Sequence, residues 1–112
     1  MWGVKTGFLC RKHLLGEHVE MHQEVGTLKN HPHGKAVVKG HAEKNQVDTS
    51  LIKHRHDELV EEMENRGMNH ESPLKYEDKL DLGSIDIESN TLDLKKRCSD
   101  CRKRIEKLQT KE

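Results

Sequence analysis

The chain has 112 residues, enough for one domain and not two, and 36% of them are charged against 3% aromatic. Its core must therefore be small and built mostly from Leu, Val and Ile. Twenty basic and twenty acidic residues cancel to a formal net charge of zero, which excludes a nucleic-acid argument from bulk charge and leaves only local patches. Three cysteines, an odd number, argue against a disulfide scaffold and for a reducing cytoplasm. No apolar run reaches the roughly 18 residues of a membrane span, and no secretory signal is present.

The first predicted helix runs from about Leu9 to Val25, with Phe8, Leu9, Leu14, Leu15, Val19 and Met21 as its apolar stripe and Gly26 as its stop. The same segment carries two carboxylates, Glu17 and Glu20, and three histidines, His13, His18 and His22, with the α-amino group of Met1 close by in sequence. An unprotonated amine, a carboxylate and nearby histidines are what amine-based covalent catalysis on an electrophilic carbon needs. The competing reading is a polar surface helix with incidental histidines. Residues 27–48 read as a long loop: Asn30-His31-Pro32-His33-Gly34 is a turn signal, and Ala36-Val37-Val38 suggests a short strand.

A second helix begins at an N-cap chosen from Asp48, Thr49 and Ser50, places Leu51, Ile52, Leu59, Val60 and Met63 on one face, and ends at Arg66-Gly67. Arg55 and His56 fall in the gap of that stripe, either aimed into a site or buried and hydrogen-bonded. Residues 68–90 form an acidic connector with Glu71, Glu77, Asp78, Asp81, Asp86 and Glu88, in which Ile85 and Ile87 suggest extended chain packed on the helices. The third helix spans about Thr91 to Gln109. Leu94, Cys98, Cys101, Ile105 and Leu108 make a heptad-like seam, and Lys95, Lys96, Arg97, Arg102, Lys103, Arg104 and Lys107 form the strongest basic cluster in the chain. That cluster is either a phosphate-binding surface or a solvated face.

Cys98-x-x-Cys101 is half of a zinc signal, since such a site needs four ligands, and Cys10 with His13 could supply the rest. Because both cysteines lie on the apolar seam, packing as small hydrophobes is the preferred reading, with zinc or redox chemistry as alternatives. No phosphate-cradling glycine loop and no nucleophile elbow is present.

The segment Leu9 to Gly26, LCRKHLLGEHVEMHQEVG, resembles the first helix of the phage-type pyrimidine-dimer DNA glycosylase and abasic-site lyase family, through His13, Leu14, Leu15, Gly16, Glu17, His18, Val19 and Glu20. Leu51 to Asn69, LIKHRHDELVEEMENRGMN, independently resembles that family's central helix, ending in Arg66, Gly67, Met68 and Asn69. The resemblance implies an all-α, single compact domain of three main helices. It also implies a chemistry: an N-terminal α-amine attacks the sugar C1′ of a damaged nucleotide, the base leaves, an imine links enzyme to DNA, and β-elimination nicks the strand. On this match Met1 is the nucleophile and Glu20 the carboxylate that stabilises the sugar cation. An α-amine titrates near 7.7–8 and is partly unprotonated at neutral pH, where an ordinary lysine near 10.4 is not.

His13, His18 and His22 are then candidate orienting or phosphate-contacting groups. Val19 and Gln23 stand where the best-studied member has arginines, so the grip on the DNA backbone passes to Arg11, Lys12, Lys95, Arg102 and Arg104. The expected partner is damaged double-stranded DNA, bound by a monomer in the cytoplasm or nucleoid. No metal, small-molecule cofactor or membrane is needed. The alternatives are a non-catalytic DNA-binding or protein-interaction module of the same fold, and a zinc-stabilised small domain using Cys10, His13, Cys98 and Cys101.

Overall fold

The computed structural model describes residues 1–69 and 73–111. Among these, five α-helices appear in chain order: α1 (Arg11–Asn30), α2 (Gly34–Glu43), α3 (Ile52–Asn65), α4 (Ile87–Arg97) and α5 (Ser99–Lys111). Short 3-10 turns at Thr6–Phe8 and Thr49–Leu51 precede α1 and α3, and no strand occurs among the described residues. The expected all-helical class is observed, with more helices than the three anticipated.

Helix α1 buries Leu14, Glu17, His18, Met21, Glu24 and Val25, a stripe at three- and four-residue spacing. Half of that inward face is polar. Val19, assigned to the apolar stripe from sequence, is 49% exposed. The helix also runs through Gly26, whose Cα faces open space, so this glycine is no stop. It ends where His31 turns extended ahead of Pro32, a residue pair that disfavours helix, with the His31 N–H bonded to the Thr27 carbonyl.

The expected 27–48 loop is instead the end of α1 followed by α2. Ala36-Val37-Val38 is helical, not a strand, because Gly34, Val38 and Ala42 recur every four residues and form a buried face. That face is narrow enough for close approach: a Cβ on Gly34 would lie 2.2 Å from the Thr27 carbonyl oxygen of α1. β-Branched propensity yields here to packing on α1.

The Asp48 carboxylate accepts from the Ser50 N–H at 3.0 Å, as the capping signal implies. Helix α3 then buries Ile52, Arg55, His56, Leu59 and Met63. Arg55 and His56 thus complete the inner face, while Leu51 lies at its edge, 37% exposed. The helix closes with Gly67 N–H on the Glu64 carbonyl and Met68 N–H on the Met63 carbonyl, both 2.9 Å, the paired bonds that terminate a helix through a left-handed residue; Gly67 has φ +76°.

The acidic connector is ordered over 73–86; Glu71 lies outside the described residues. Asp78 organises it by accepting from the Tyr76 hydroxyl (2.9 Å), the Leu80 and Asp81 N–H groups (3.0 and 3.1 Å) and Thr49 Oγ1 (3.2 Å). Thr49 and Leu82 bond each other's backbone and side chain, Thr49 N–H to the Leu82 carbonyl and Leu82 N–H to Thr49 Oγ1. Ile85 packs against the core, but Ile87 is the first residue of α4 and 51% exposed.

The single third helix expected over 91–109 is two helices. Asp86 caps α4 by accepting from the Ser89 N–H at 3.0 Å. Cys98, at φ −132° and ψ 111°, ends it, and α5 begins at Ser99. The chain then folds back: Lys95 Nζ reaches Gln109 Oε1 at 3.3 Å, whereas fourteen residues of straight helix would separate those positions by about 21 Å. Leu94, Cys101 and Ile105 are fully buried, so the predicted seam does face the core, bent at Cys98.

Burial opposes ionisation of Asp78, but its hydrogen bonds from Leu80, Tyr76, Asp81 and Thr49 outweigh it and hold the carboxyl below its usual range. Burial and the same carboxylate push the Tyr76 phenol well above its ordinary value. A carboxyl whose folded pKa is depressed stabilises the fold above its unfolded pKa, and this contribution is lost as pH falls through the folded value. Replacing Asp78→Asn should therefore cost about 1 kcal/mol at neutral pH and reduce the fall in melting temperature between about pH 5 and pH 2, as followed by circular dichroism. An acid limb identical to that of the parent chain is the contrary result.

Candidate functional site

The start of the chain is held by donors from three other elements. Asn90 Nδ2 of α4 donates to the Trp2 carbonyl at 2.7 Å. Arg66, after α3, donates through Nη2 to the carbonyls of Leu9 (2.7 Å) and Thr6 (3.2 Å). Arg104 of α5 donates through Nε to the Gly7 carbonyl at 2.8 Å. Val4 and Leu9 are fully buried beside these bonds. Gly3 turns the arm at φ +70°, where a Cβ would collide with the Ile85 side chain at 2.2 Å.

This arm delivers the Met1 α-amino group to Glu20 on α1. The amine is bonded to Glu20 Oε1 and also donates to the Gln46 carbonyl at 2.7 Å. The Met1 side chain is buried, while the Glu20 carboxylate is 36% exposed. The pair opens onto a cleft of about 690 Å³, lined also by Trp2, Gln23, Glu24, His41, Lys44, Asn90 and Arg97, a size that admits a nucleotide-scale group. The α-amine, a carboxylate and a solvent-accessible cavity thus meet in one place. That arrangement can form an imine with an electrophilic carbon and hold the positive charge that develops beside it.

The two carboxylates of α1 have different surroundings. Glu17, one turn before Glu20, is fully buried and forms a two-pronged ion pair with Arg55, Nε to Oε2 at 2.5 Å and Nη2 to Oε1 at 3.0 Å. Its charge is neutralised within the core. Glu20 has the amine as partner and the cleft as its environment.

The histidines divide in the same way. His18, His22 and His56 cluster with ring centroids 4.8–4.9 Å apart, His22 edge-on to the other two rings. His56 bonds Asp57 through Nδ1 (2.9 Å) and His22 through Nε2 (3.2 Å). Burial raises the Asp57 pKa, but hydrogen bonds from His56 and Lys53 prevail and lower it. His13 is elsewhere, its Nδ1 3.1 Å from Cys10 Sγ and 3.5 Å from Cys101 Sγ. Burial pushes the Cys101 thiol up to about 12. Burial acts the same way on Cys98, yet donation from the Cys101 and Asp100 backbone N–H groups leaves it below the ordinary thiol value.

Among the basic residues singled out from sequence, Arg11, Lys12 and Arg102 are exposed, Lys95 bridges to Gln109, and Arg104 holds the arm. Sequence reading missed Gln46, which contributes a backbone carbonyl and so leaves no side-chain signal. It also missed His41 and Lys44, placed at the cleft by the end of α2, a helix taken for a loop. His41 Nδ1 bonds Glu24 Oε1 at 2.7 Å. Asn90 and Arg97 reach the cleft from α4, where Arg97 pairs with Asp93 at 3.0 Å.

A family model described as pyrimidine dimer DNA glycosylase matches residues 1–76. No curated protein and no solved structure matches the chain.

The buried pair gives a stability test. Arg55→Met should destabilise the protein by about 3–5 kcal/mol, because Glu17 is left charged and unpaired in the core. Adding Glu17→Leu should recover most of that loss, since the two apolar side chains then replace the pair. Urea unfolding of both variants measures the difference; equal stability of the single and double variants is the contrary outcome.

Proposed function

Because the chain belongs to the pyrimidine dimer DNA glycosylase family, we propose that it is a DNA glycosylase and abasic-site lyase acting on damaged duplex DNA through an N-terminal imine. The observation that carries this reading is the Met1 amine held on Glu20 at an open cleft. In the unprotonated form the Met1 nitrogen attacks C1′ of the damaged nucleotide, and the glycosidic electron pair departs with the base. The nitrogen then loses a proton, and the sugar ring opens to leave an imine between enzyme and DNA. Loss of a C2′ proton expels the 3′ phosphate by β-elimination, which nicks the strand, and water releases the product. Glu20 is assigned to stabilising the cationic sugar and to moving protons during ring opening and elimination.

The Gln46 carbonyl and the clamped arm orient the amine, so that it waits beside the site where C1′ must arrive. Reaching C1′ in duplex requires an extruded nucleotide, at a cost of a few kcal/mol that is least at a damaged pair. Phosphate contacts are assigned to Arg11, Lys12, Lys95 and Arg102, with Lys44 and Arg97 added by their place at the cleft. His18 and His22 are assigned to orienting α1 against α3 through His56. Arg104 and His13 are assigned to holding the arm and α1, on the strength of their contacts with Gly7 and the cysteines. Among the described residues no helix is long and apolar enough to cross a membrane, and soluble duplex DNA is the proposed partner.

The test is borohydride trapping on an abasic duplex and, in parallel, a duplex carrying a cyclobutane dimer. A covalent adduct on both, lost when the α-amine is blocked, is expected, and intact-mass measurement identifies the residue bearing that amine. Glu20→Gln should keep duplex affinity within a few-fold and reduce strand cleavage by about 10²-fold or more. Undiminished cleavage by that variant removes Glu20 from the chemistry. Binding without any adduct favours a non-catalytic DNA-binding module.

A further inference from the structure

We propose that Cys10, His13, Cys98 and Cys101 bind one zinc ion as a closed, structural Cys3His site that ties the N-terminal arm to α5. The four ligand atoms lie within 4.8 Å of one another. Cys10 Sγ is 3.8 Å from Cys98 Sγ and 3.1 Å from His13 Nδ1, and His13 Nδ1 is 3.5 Å from Cys101 Sγ. A tetrahedral zinc with bonds of about 2.3 Å to sulfur and about 2.0 Å to nitrogen sets its sulfurs about 3.8 Å apart and sulfur and nitrogen about 3.5 Å apart. The side chains therefore already stand near the corners the ion requires. A disulfide, by contrast, needs its sulfurs at about 2.05 Å.

The local frames suit the same end. Cys10-x-x-His13 and Cys98-x-x-Cys101 have the same two-residue spacing, and each pair sits at the start of a helix. Cys10 caps α1 with His13 in its first turn, and Cys98 precedes α5 with Cys101 in its first turn. Backbone N–H groups point at the sulfurs: Cys10 N–H at Cys101 Sγ (3.3 Å) and Cys101 N–H at Cys98 Sγ (3.4 Å). Such donors and the positive ends of two helices stabilise thiolates. Binding releases the thiol protons to solvent and leaves a Cys3His zinc with one net negative charge. Arg11, Lys12, Arg102 and Lys103 adjoin the ligands in sequence. Four protein ligands leave no open position, so the role is structural.

The site also accounts for the break between α4 and α5. A continuous helix would carry Cys98 along the seam, whereas the extended residue at 98 turns its sulfur to Cys10. Cys98 and Cys101 lie beyond residues 1–76, the part that matches the family model. The metal would thus join the matched portion to the C-terminal helices. This inference stands independently of the proposed catalysis.

Protein produced with zinc supplementation and dialysed against metal-free buffer should retain about one zinc per chain by elemental analysis. Removing it with a chelator should lower the melting temperature by about 10 °C or more. Cobalt substitution should show thiolate-to-metal charge transfer and the visible bands of a tetrahedral ion. His13→Ala and Cys98→Ser should lose the metal, and His13→Cys should regain it. A wild-type protein that binds neither zinc nor cobalt overturns the proposal, as does a Cys10–Cys98 disulfide in the reductant-free protein, or metal content unchanged in His13→Ala and Cys98→Ser.

Discussion

The Glu17–Arg55 ion pair is the constraint around which the molecule is arranged. A bidentate guanidinium–carboxylate pair has a narrow geometry, and in a buried interface neither partner can leave without exposing the other's charge to the core. It therefore sets the rotation of α1 against α3. With Glu17 turned inward, His18 and Met21 follow it into the interface and Glu20 is carried to the edge, where it is 36% exposed. The position of the candidate carboxylate is a consequence of the pairing one turn earlier.

A second constraint acts on the arm. Residues 1–9 form only a 3-10 turn, in which the Phe8 and Leu9 N–H groups satisfy the Lys5 and Thr6 carbonyls, and the carbonyls of Trp2, Gly7 and Leu9 take donors from elsewhere. Arg66, Asn90 and Arg104 supply donors from three directions. Each removes freedom from a segment that would otherwise sample many conformations. The outcome is an α-amino group held at one point, on the Glu20 carboxylate. These residues belong to the rest of the fold, so the site depends on α3, α4 and α5 as much as on α1.

The family match covers residues 1–76, which include the amine, Glu20 and the ion pair. The C-terminal helices lie outside it, yet Asn90 and Arg97 border the cleft and Arg104 fastens the arm. The matched portion holds the amine, Glu20 and the Arg66 clamp, and the remainder adds the clamps of Asn90 and Arg104.

The helical class was legible because charged, aromatic-poor segments with three- and four-residue spacing have few other ways to bury their apolar side chains. The caps at Asp48 and Gly67 were equally readable, being interactions among near neighbours. Met1 and Glu20 were singled out through the resemblance of the first helix, and the bond between them is a contact across 19 residues that the fold makes. Where local signals failed, packing decided. Gly26 resembles a helix stop, but α2 lies across the following turn and sustains the helix to Asn30. Val37 and Val38 resemble a strand, but a face of Gly34, Val38 and Ala42 fits closely on α1. Arg55 and His56 interrupt an apolar stripe on paper and complete it in space, because their partners Glu17 and His22 are 38 and 34 residues away. Cys10-x-x-His13 and Cys98-x-x-Cys101 were each visible, but the sequence left their meeting as one alternative beside packing on the seam, and the fold brings them together across 88 residues. Sequence by itself determined the helical class and the caps at Asp48 and Gly67, since these depend on residues within a turn or two of one another. Tertiary structure alone decided which carboxylate was neutralised, where the amine was held and which sulfurs met, because those outcomes depend on the faces that distant helices present to each other.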